Sequence, residues 1–214
     1  PYLLSQVFTY GAFALIVIFQ PELRAGLARL GRTRFFQAFS RLEQEEVMEQ
    51  IAEAADRLAK AKIGGIIAIE QEVNLLNHVD HGTTLDADLS TELLTTVFTP
   101  YSPLHDGAVI VKRDRIANAG SVIPRLSESP TVDRSLGTRH RAALGLSEET
   151  DALVVVISEE TGQISLAHQG RLHRGLRPDE LRRRLEAGGR EQAAEAGASA
   201  EPEVERSAAL PAEG

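Results

Sequence analysis

The chain has 214 residues, a formal net charge of -8 and no cysteine. This length suits one full-sized domain with appendages, because a single core usually accounts for roughly 100–200 residues. The negative charge argues against a protein that binds nucleic acid by neutralising phosphates, although a local basic patch could still hold a nucleotide. Without cysteine there is no disulfide framework and no thiolate zinc site, so His, Asp or Glu would have to bind any metal.

The N-terminal segment carries no charged side chain before Glu22. An uncharged stretch of about 20 residues is long enough to cross a hydrocarbon core, so residues 1–20 are predicted to form a transmembrane helix. A buried core helix or an interfacial amphipathic helix is the alternative, because polar residues dilute the first half of this stretch. Arginines then recur from Arg24 to Arg34, as is typical of the cytoplasmic side of a span. Residues 21–39 are interpreted as a juxtamembrane linker, and the chain beyond them is expected to be cytoplasmic.

The first half of the remaining chain predicts a helix, a strand and a second helix. Residues 40–62 have apolar side chains at helical spacing, with Ser40 and Glu43 as an N-terminal capping pair. Residues 63–70 are apolar and bounded by glycines, which is typical of a buried central strand. Residues 71–89 are polar and read as a loop with room for one short strand, before a helix over 89–99 that Ser90 caps.

The second half predicts two hairpins and a last helix. Residues 107–123 form strands around the turn "KRDR", and residues 152–172 form strands around "EETG". A helix over 177–185 has a proline in its first turn. Residues 187–214 contain almost no large apolar side chains, so they are predicted to be a disordered acidic tail. The fold class is therefore α/β, a mixed central sheet flanked by helices, with the main domain over 40–186.

Asp106 is the first candidate for chemistry, in the stretch "SPLHDGAVIV". It directly precedes Gly107 and a buried strand, so its carboxylate would lie at the mouth of that strand, where Gly107 permits close approach. Such a carboxylate can bind a divalent metal or accept a proton from a hydroxyl group. An ordinary Asp-Gly turn is the alternative from this stretch alone.

The stretch "LGTRHRAALGLSEETDA" forms the second candidate. Its apolar helical run follows Gly137 and Thr138, which places these residues near a helix N-terminus, where backbone donors and the helix dipole favour an anion. Arg139 and Arg141 add charge-assisted donors for phosphate oxygens. His140 between two cations is a poor metal ligand, so a phosphate donor is its better role. Two surface arginines coating a helix remain the alternative.

The third candidate is Ser158-Glu159-Glu160, at the end of the predicted strand "LVVVI". Adjacent glutamates point to opposite faces of an extended chain, so one of the two is expected to enter a site and help bind a metal. A solvated hairpin turn is the alternative. No Walker or dinucleotide-binding glycine motif is present, so the three clusters together predict a phosphate-rich ligand with metal assistance on another scaffold.

These three motifs, in this order and spacing, resemble the diadenylate cyclase domain. The preceding "FQPELRAGLARLGR" resembles the membrane-anchored branch of that family. The resemblance covers about residues 10–175, and it implies condensation of two ATP into cyclic di-AMP with release of two pyrophosphates, assisted by Mg²⁺, Mn²⁺ or Co²⁺. It also implies that two protomers meet face to face, so that a homodimer is needed for catalysis, with the catalytic domain in the cytoplasm at the cell membrane.

Carried over by position, the resemblance implies a role for each motif. Asp106 would engage the metal and help activate the 3′-hydroxyl group, with Glu160 as a further metal ligand. The expected nucleotide-binding residues are Gly107, Ala108, Ile123, Thr138, Arg139, His140, Arg141, Ser158, Glu159 and Glu160. Ile123 would pack on adenine, although the segment around Val122 departs from the family pattern on the adenine side. A non-catalytic nucleotide sensor and a membrane-tethered scaffold are the alternative functions.

Overall fold

The computed structural model describes residues 34–80, 82–124, 126–127 and 137–199, together with Gln6. The chain divides into two compact units, Pro1–Glu43 and Gln44–Gly214, and the sheet and the pocket described below belong to the second. Within the described residues no helix is long and apolar enough to cross a membrane. Except for Gln6, the predicted span over residues 1–20 lies outside them.

Four helices and seven strands follow one another along the described chain. The helices are α1 (Arg34–Ala61), α2 (Thr91–Val97), α3 (Thr138–Glu149) and α4 (Pro178–Ser199). The strands are β1 (Gly65–Glu70), β2 (Thr83–Asp88), β3 (Ala108–Lys112), β4 (Arg115–Ser121), β5 (Leu153–Ile157), β6 (Ile164–His168) and β7 (Arg171–Leu176). A short 3-10 helix, Leu75–Asn77, lies between β1 and β2.

All seven strands form one mixed sheet in the order β2-β4-β3-β1-β5-β6-β7. The pairing of β1 with β3 is parallel and the other pairings are antiparallel. The apolar run at 65–70 therefore forms the middle strand, where both faces are covered and a continuous hydrophobic sequence is expected. The predicted mixed α/β sheet, both hairpins and the short strand in the polar loop are confirmed.

Helices cover the two faces of the sheet unequally. Apolar residues of α1, α2 and α4 form one core cluster with alternate strand residues such as Ile67 and Ile69. Helix α3 covers the opposite face, where it packs on residues such as Ile66 and Ala68. Because side chains alternate along a strand, β1 contributes to both cores with consecutive residues. The α3 face has the smaller core and also carries the pocket.

The predicted start of α1 is wrong. The helix begins at Arg34, so residues 34–39 of the predicted linker are helical and Ser40 lies inside the helix rather than capping it. No glycine or proline interrupts residues 34–61, so a capping-box pattern can occur within a helix that simply continues. The helix ends where Lys62 takes a left-handed φ of 53° and the amide of Ile63 donates to the carbonyl of Leu58.

Two features near the C-terminus also differ from the sequence-based expectation. Strand β7 was not predicted, because its sequence "RLHRGL" is polar and lies at the sheet edge. Residues 187–199, which were predicted to begin the disordered tail, continue α4 in the structure. Alanine, glutamate, glutamine and arginine are strong helix formers, and Gly188 lets the helix approach Leu153 closely. The remaining tail, residues 200–214, lies outside the described residues.

Candidate active site

The site lies at the edge of the sheet that is formed by the ends of five strands, not at the edge formed by an outer strand. The register pairs Gly65 with Ile157 and Ile66 with Ala108, so β3 begins beside the end of β5. Ile157 in turn pairs with Ile164, and Ile164 with Leu176 at the end of β7. Residues that precede β3 or follow β5 are therefore neighbours in space although they are about 50 positions apart in sequence.

A pocket of about 590 Å³ opens at this edge. Seven of the predicted site residues line it: Asp106, Thr138, Arg139, His140, Ser158, Glu159 and Glu160. All three sequence motifs contribute to the same cavity, which separate surface features would not do. A volume of this size is typical of a site for one small-molecule ligand.

Four predicted residues do not line the pocket. Ala108 and Ile123 are buried in the core beneath α3, and Arg141 is half-buried one position beyond His140, with its carbonyl accepting from the amide of Ser127 at 3.0 Å. Gly107 lies against the backbone of the neighbouring strand. The nucleotide-binding roles of these four residues stay predictions.

Five lining residues are absent from the predicted set: Gly137, Ile157, Thr161, Gln163 and Arg174. Thr161 and Gln163 belong to the β5–β6 turn, so the position of Ser158 at a strand end was a usable signal for them. Arg174 had no such signal, because it lies on the strand that sequence reasoning missed. Only the antiparallel return of β7 beside β6 brings it to the pocket.

The N-terminus of α3 opens into the pocket without a side-chain cap. Gly137 is the cap residue, in an extended conformation with φ -62° and ψ 161°, and it has no side chain to accept a hydrogen bond from the first turn. Its carbonyl accepts the amides of His140 and Arg141 at 3.1 and 3.3 Å. The positive end of the helix dipole thus faces the cavity, which is an arrangement that favours an anionic ligand.

Arg139 forms an ion pair across the pocket with Glu159, with Nη1 and Oε2 2.6 Å apart. Both side chains pass close to Gly64, at which a Cβ atom would lie 2.9 Å from the guanidinium and 3.0 Å from the carboxylate. The absence of a side chain at Gly64 therefore makes room for the pair. The ion pair holds the guanidinium of Arg139 in the pocket, and it directs the carboxylate of Glu159 toward Arg139.

His140 is the most enclosed of the predicted phosphate-binding residues, with 8% of its surface exposed. The hydroxyl group of Ser165 lies 3.3 Å from Nε2, within hydrogen-bond distance. Burial, and next the positive charge of Arg174, lower the pKa of His140 below its usual value. Even a neutral imidazole carries one N–H, so His140 can still donate a hydrogen bond to a phosphate oxygen.

The turn after β5 holds Ser158 and Glu160 in a closed backbone loop. The amide of Ser158 donates to the carbonyl of Gln163 at 3.0 Å, and the amide of Gly162 donates back to Ser158 at 2.9 Å. The Ser158 hydroxyl oxygen also accepts the amide of Thr161 at 3.3 Å. These bonds fix where the two glutamates leave the backbone of an exposed hairpin turn, and their roles in binding stay predictions.

Gly107 fixes the position of Asp106. Its φ of 151° belongs to the region that favours glycine, and a Cβ atom there would lie 2.6 Å from the carbonyl carbon of Gly120. The backbone of β3 therefore enters the sheet in direct contact with β4, as no other residue would allow. Asp106, one position earlier, is exposed at the strand mouth and lines the pocket.

The carboxylates of the pocket fit a divalent metal that is shared with a substrate, rather than one that is enclosed by protein ligands alone. No group of three or more His, Asp or Glu side chains in the described part of the chain could enclose a metal ion. A dedicated all-protein cage is therefore not formed by these residues. Magnesium-like ions instead commonly use one or two carboxylates together with substrate phosphates and water. Asp106 and Glu160, which both line the pocket, match that mode.

Comparison with known proteins gives a family model and relatives that agree with one another. The family model described as DisA bacterial checkpoint controller nucleotide-binding matches residues 52–172. The chain is 47% identical to the cyclic di-AMP synthase CdaA of Bacillus subtilis over 87% of this chain and 69% of that protein. It is 45% identical to a diadenylate cyclase of Listeria monocytogenes over 85% of this chain and 67% of that protein.

Two solved structures share the fold. A double mutant of DacA from Staphylococcus aureus superposes with a TM-score of 0.64 at 42% identity, covering 68% of this chain and 96% of that one. A hypothetical membrane spanning protein from Bacillus cereus gives a TM-score of 0.59 at 36% identity, covering 82% and 89%. The family model, the relatives and the gathering of all three motifs in one pocket agree: the chain belongs to the diadenylate cyclase family.

Proposed function

We propose that this chain condenses two molecules of ATP into cyclic di-AMP and releases two pyrophosphates. The observation that carries the proposal is the pocket at the sheet edge, which is lined both by the uncapped N-terminus of α3 and by Asp106. One end of this pocket suits polyphosphate and the other suits a hydroxyl group that must lose a proton. Family membership and the diadenylate cyclases among its relatives support the same reaction.

In the proposed reaction a ribose 3′-hydroxyl oxygen attacks an α-phosphorus atom and the bond to the β-phosphate oxygen breaks. Asp106 accepts the hydroxyl proton, and the leaving pyrophosphate carries away the electron pair of the broken bond. The α3 N-terminus and Arg139 hold the phosphates in line for attack. A divalent metal, when bound by Asp106 and Glu160, supplies charge neutralisation at the phosphate oxygens.

Arg139 would exchange its partner when nucleotide binds. Its pairing with Glu159 at 2.6 Å keeps the guanidinium oriented in the absence of phosphate. A polyphosphate carries more charge than one carboxylate and can accept a bidentate pair of hydrogen bonds from arginine. Glu159 is then released toward solvent, in line with its 59% side-chain exposure.

The proposal includes a homodimer with the two pockets facing each other. Cyclic di-AMP has two-fold symmetry, and a symmetric product is naturally formed at an isologous two-fold interface. The pocket has the volume of a site for one small-molecule ligand, so a second nucleotide must come from another copy. A monomer would hold each reactant without bringing the pair together.

The proposal also places the protein at the cell membrane, with the catalytic domain in the cytoplasm. The uncharged stretch before Glu22 and the arginines after it support this location. One structural neighbour is described as a membrane spanning protein. Neither a nucleic-acid partner nor a particular regulatory protein is part of the proposal.

A product assay tests the proposed activity directly. The full chain is incubated with ATP and each of Mg²⁺, Mn²⁺ and Co²⁺, and cyclic di-AMP is separated by chromatography while sedimentation reports the oligomeric state. We expect cyclic di-AMP with at least one metal, from the dimer. ATP binding by a dimer without any product would overturn the cyclase proposal in favour of a nucleotide sensor. No nucleotide binding at all would favour a membrane-tethered scaffold.

A further inference from the structure

The pocket holds two arginines that differ in their electrostatic state. Arg139 is neutralised by Glu159 in an ion pair. Arg174 is exposed, lines the same pocket, and forms no ion pair with the other residues that the structure describes. An arginine is always charged at physiological pH, so an unpaired one beside a helix N-terminus is a standing attraction for an anion.

A bulge in β7 directs Arg174 into the pocket. Ile164 pairs with Leu176 and Leu166 with His173, so two steps along β6 correspond to three along β7. The extra residue falls at Arg174 and Gly175, and Gly175 takes the left-handed φ of 65° that such bulges use. Because a bulge changes which way a side chain points, this local irregularity is what makes an edge-strand arginine part of the site.

The order of strands places Arg174 far from Asp106. Between β3, which Asp106 precedes, and β7 lie β1, β5 and β6, a separation of about 19 Å at the usual strand spacing. Arg139 and Ser158 lie between them, because α3 packs mainly on β5 and β6. The pocket therefore runs from a carboxylate that faces the ribose in the proposed reaction to a cation at its other end.

We propose that Arg174 binds the terminal phosphates of ATP, the part that leaves as pyrophosphate, and so makes the pocket selective for the triphosphate over AMP. The inference rests on the proposed function, which assigns the Asp106 end to the ribose. Arg139 and the helix N-terminus then hold the phosphates nearer the reacting centre. Arg174 touches the leaving group, so it is a binding and specificity residue rather than the proton acceptor.

The test uses Arg174→Gln in the full chain, with Arg171→Gln as its matched control. Arg171 is also an exposed arginine of β7, but it does not line the pocket. Calorimetry should show that Arg174→Gln weakens ATP and free pyrophosphate about 10- to 100-fold, the loss expected for a hydrogen bond between charged groups. Affinity for AMP should stay within about twofold, and Arg171→Gln should leave all three affinities unchanged.

A second variant separates the position of Arg174 from its charge. In Gly175→Ala the added Cβ meets no atom within 4 Å, so only the left-handed backbone conformation is penalised. We expect this variant to bind ATP more weakly, as Arg174→Gln does, although it retains its arginine.

A third readout is the pKa of His140, measured by NMR. This pKa should rise in Arg174→Gln, because burial would still lower it but the positive charge of Arg174 would no longer do so.

The outcomes separate this inference from the proposed function. If Arg174→Gln binds ATP and pyrophosphate as the unchanged protein does, the inference is overturned, whether or not cyclic di-AMP is formed. Equal losses for ATP and AMP would also overturn it, because they would indicate a general disturbance of the pocket. If the unchanged chain makes no product but its ATP affinity depends on Arg174, the polyphosphate role is supported and only the cyclase proposal fails.

Discussion

The N-termini of α2 and α3 differ in whether a side chain of the protein pairs with their free backbone N–H groups. Helix α2 begins after Ser90, whose hydroxyl oxygen accepts the amide of Leu93 at 3.2 Å. Helix α3 begins after Gly137, which offers no side chain to its first turn. Both helices leave backbone donors unpaired at their starts. In α2 the chain satisfies one of them itself, whereas in α3 they remain available to a ligand.

The contrast extends to the two faces of the sheet. Helices α1, α2 and α4 cover one face with the larger core, and none of the predicted site residues lies on these helices. Helix α3 packs on the other face, and its N-terminus borders the pocket. A helix end that is capped contributes to stability, and one that is left open contributes to binding. Substitutions at Asp106, Gly137 and Ser90, together with the pH dependence of stability, test this distinction.

The largest expected effect is on turnover, from Asp106→Asn. If the open end of α3 belongs to a catalytic pocket, removing the proton acceptor in that pocket should lower the rate of cyclic di-AMP formation about 10²- to 10⁴-fold. ATP affinity should change far less, because the phosphate-binding groups are untouched. Chromatographic product assays and calorimetry measure the two quantities. Asp114→Asn, in the β3–β4 turn, is the control, and a fully active Asp106→Asn protein would remove the assigned role.

The next largest effect is on ATP affinity, from Gly137→Asp. This change gives α3 the kind of cap that α2 has, and a Cβ at Gly137 would meet nothing within 4 Å. The new carboxylate should occupy the anion site and repel the phosphates of ATP, so that ATP binds roughly 10- to 100-fold more weakly. Folding stability should stay the same or rise by a few tenths of a kcal/mol.

Gly137→Asn separates the cap from its charge. It adds a side chain of the same shape without negative charge, and we expect a smaller loss of ATP affinity than for Gly137→Asp. Calorimetry and thermal unfolding measure both variants. If Gly137→Asp binds ATP normally, the N-terminus of α3 is not the phosphate site.

A reciprocal effect is expected on stability, from Ser90→Ala. Losing the cap of α2 should lower the free energy of unfolding by about 0.5–2 kcal/mol. ATP affinity should remain within about twofold, because Ser90 is not among the residues that line the pocket. Denaturant titration and calorimetry give the two numbers. A stable variant with weakened ATP binding would erase the distinction between the two helix ends.

The smallest expected effect is a pH dependence of folding stability that comes from His140 of α3. The folded protein lowers the pKa of His140, first through burial and then through Arg174, whereas the unfolded chain keeps the ordinary value near 6.5. As pH falls below about 6.5, the unfolded chain takes up a proton that the folded chain resists, so folding stability decreases. His140→Gln should flatten this part of the curve. Parallel curves for the two proteins, from thermal unfolding between pH 7 and pH 5, would contradict the assignment.

Much of the fold follows from local sequence. The apolar run at 65–70, the turn residues in the two hairpins and Ser90 before α2 each express a backbone preference that does not need the rest of the molecule. The errors arose where local signals were weak or ambiguous. Ser40 matched a capping pattern inside a continuing helix, and β7 has the polar sequence of an edge strand.

The candidate site shows the same division. Asp106, Arg139 and Glu160 could be proposed from their motifs, since each motif places a charged group at the end of a predicted element. Arg174 could not be found in that way, because its role depends on a bulge and on the return of β7 beside β6. The pairing of Arg139 with Glu159 was equally hidden, since 20 positions of sequence separate the two residues.

By itself, the sequence determined the mixed α/β class, the three motifs and, through their resemblance, the diadenylate cyclase family. Only the tertiary structure decided that these motifs share one pocket and that the start of α3 carries no side-chain cap. It also decided that Arg139 pairs with Glu159, whereas Arg174 forms no ion pair with the residues that the structure describes. The physical reason is that helix and strand preferences act over a few neighbouring residues. Charge pairing and pocket lining depend instead on which strand ends the sheet register brings side by side.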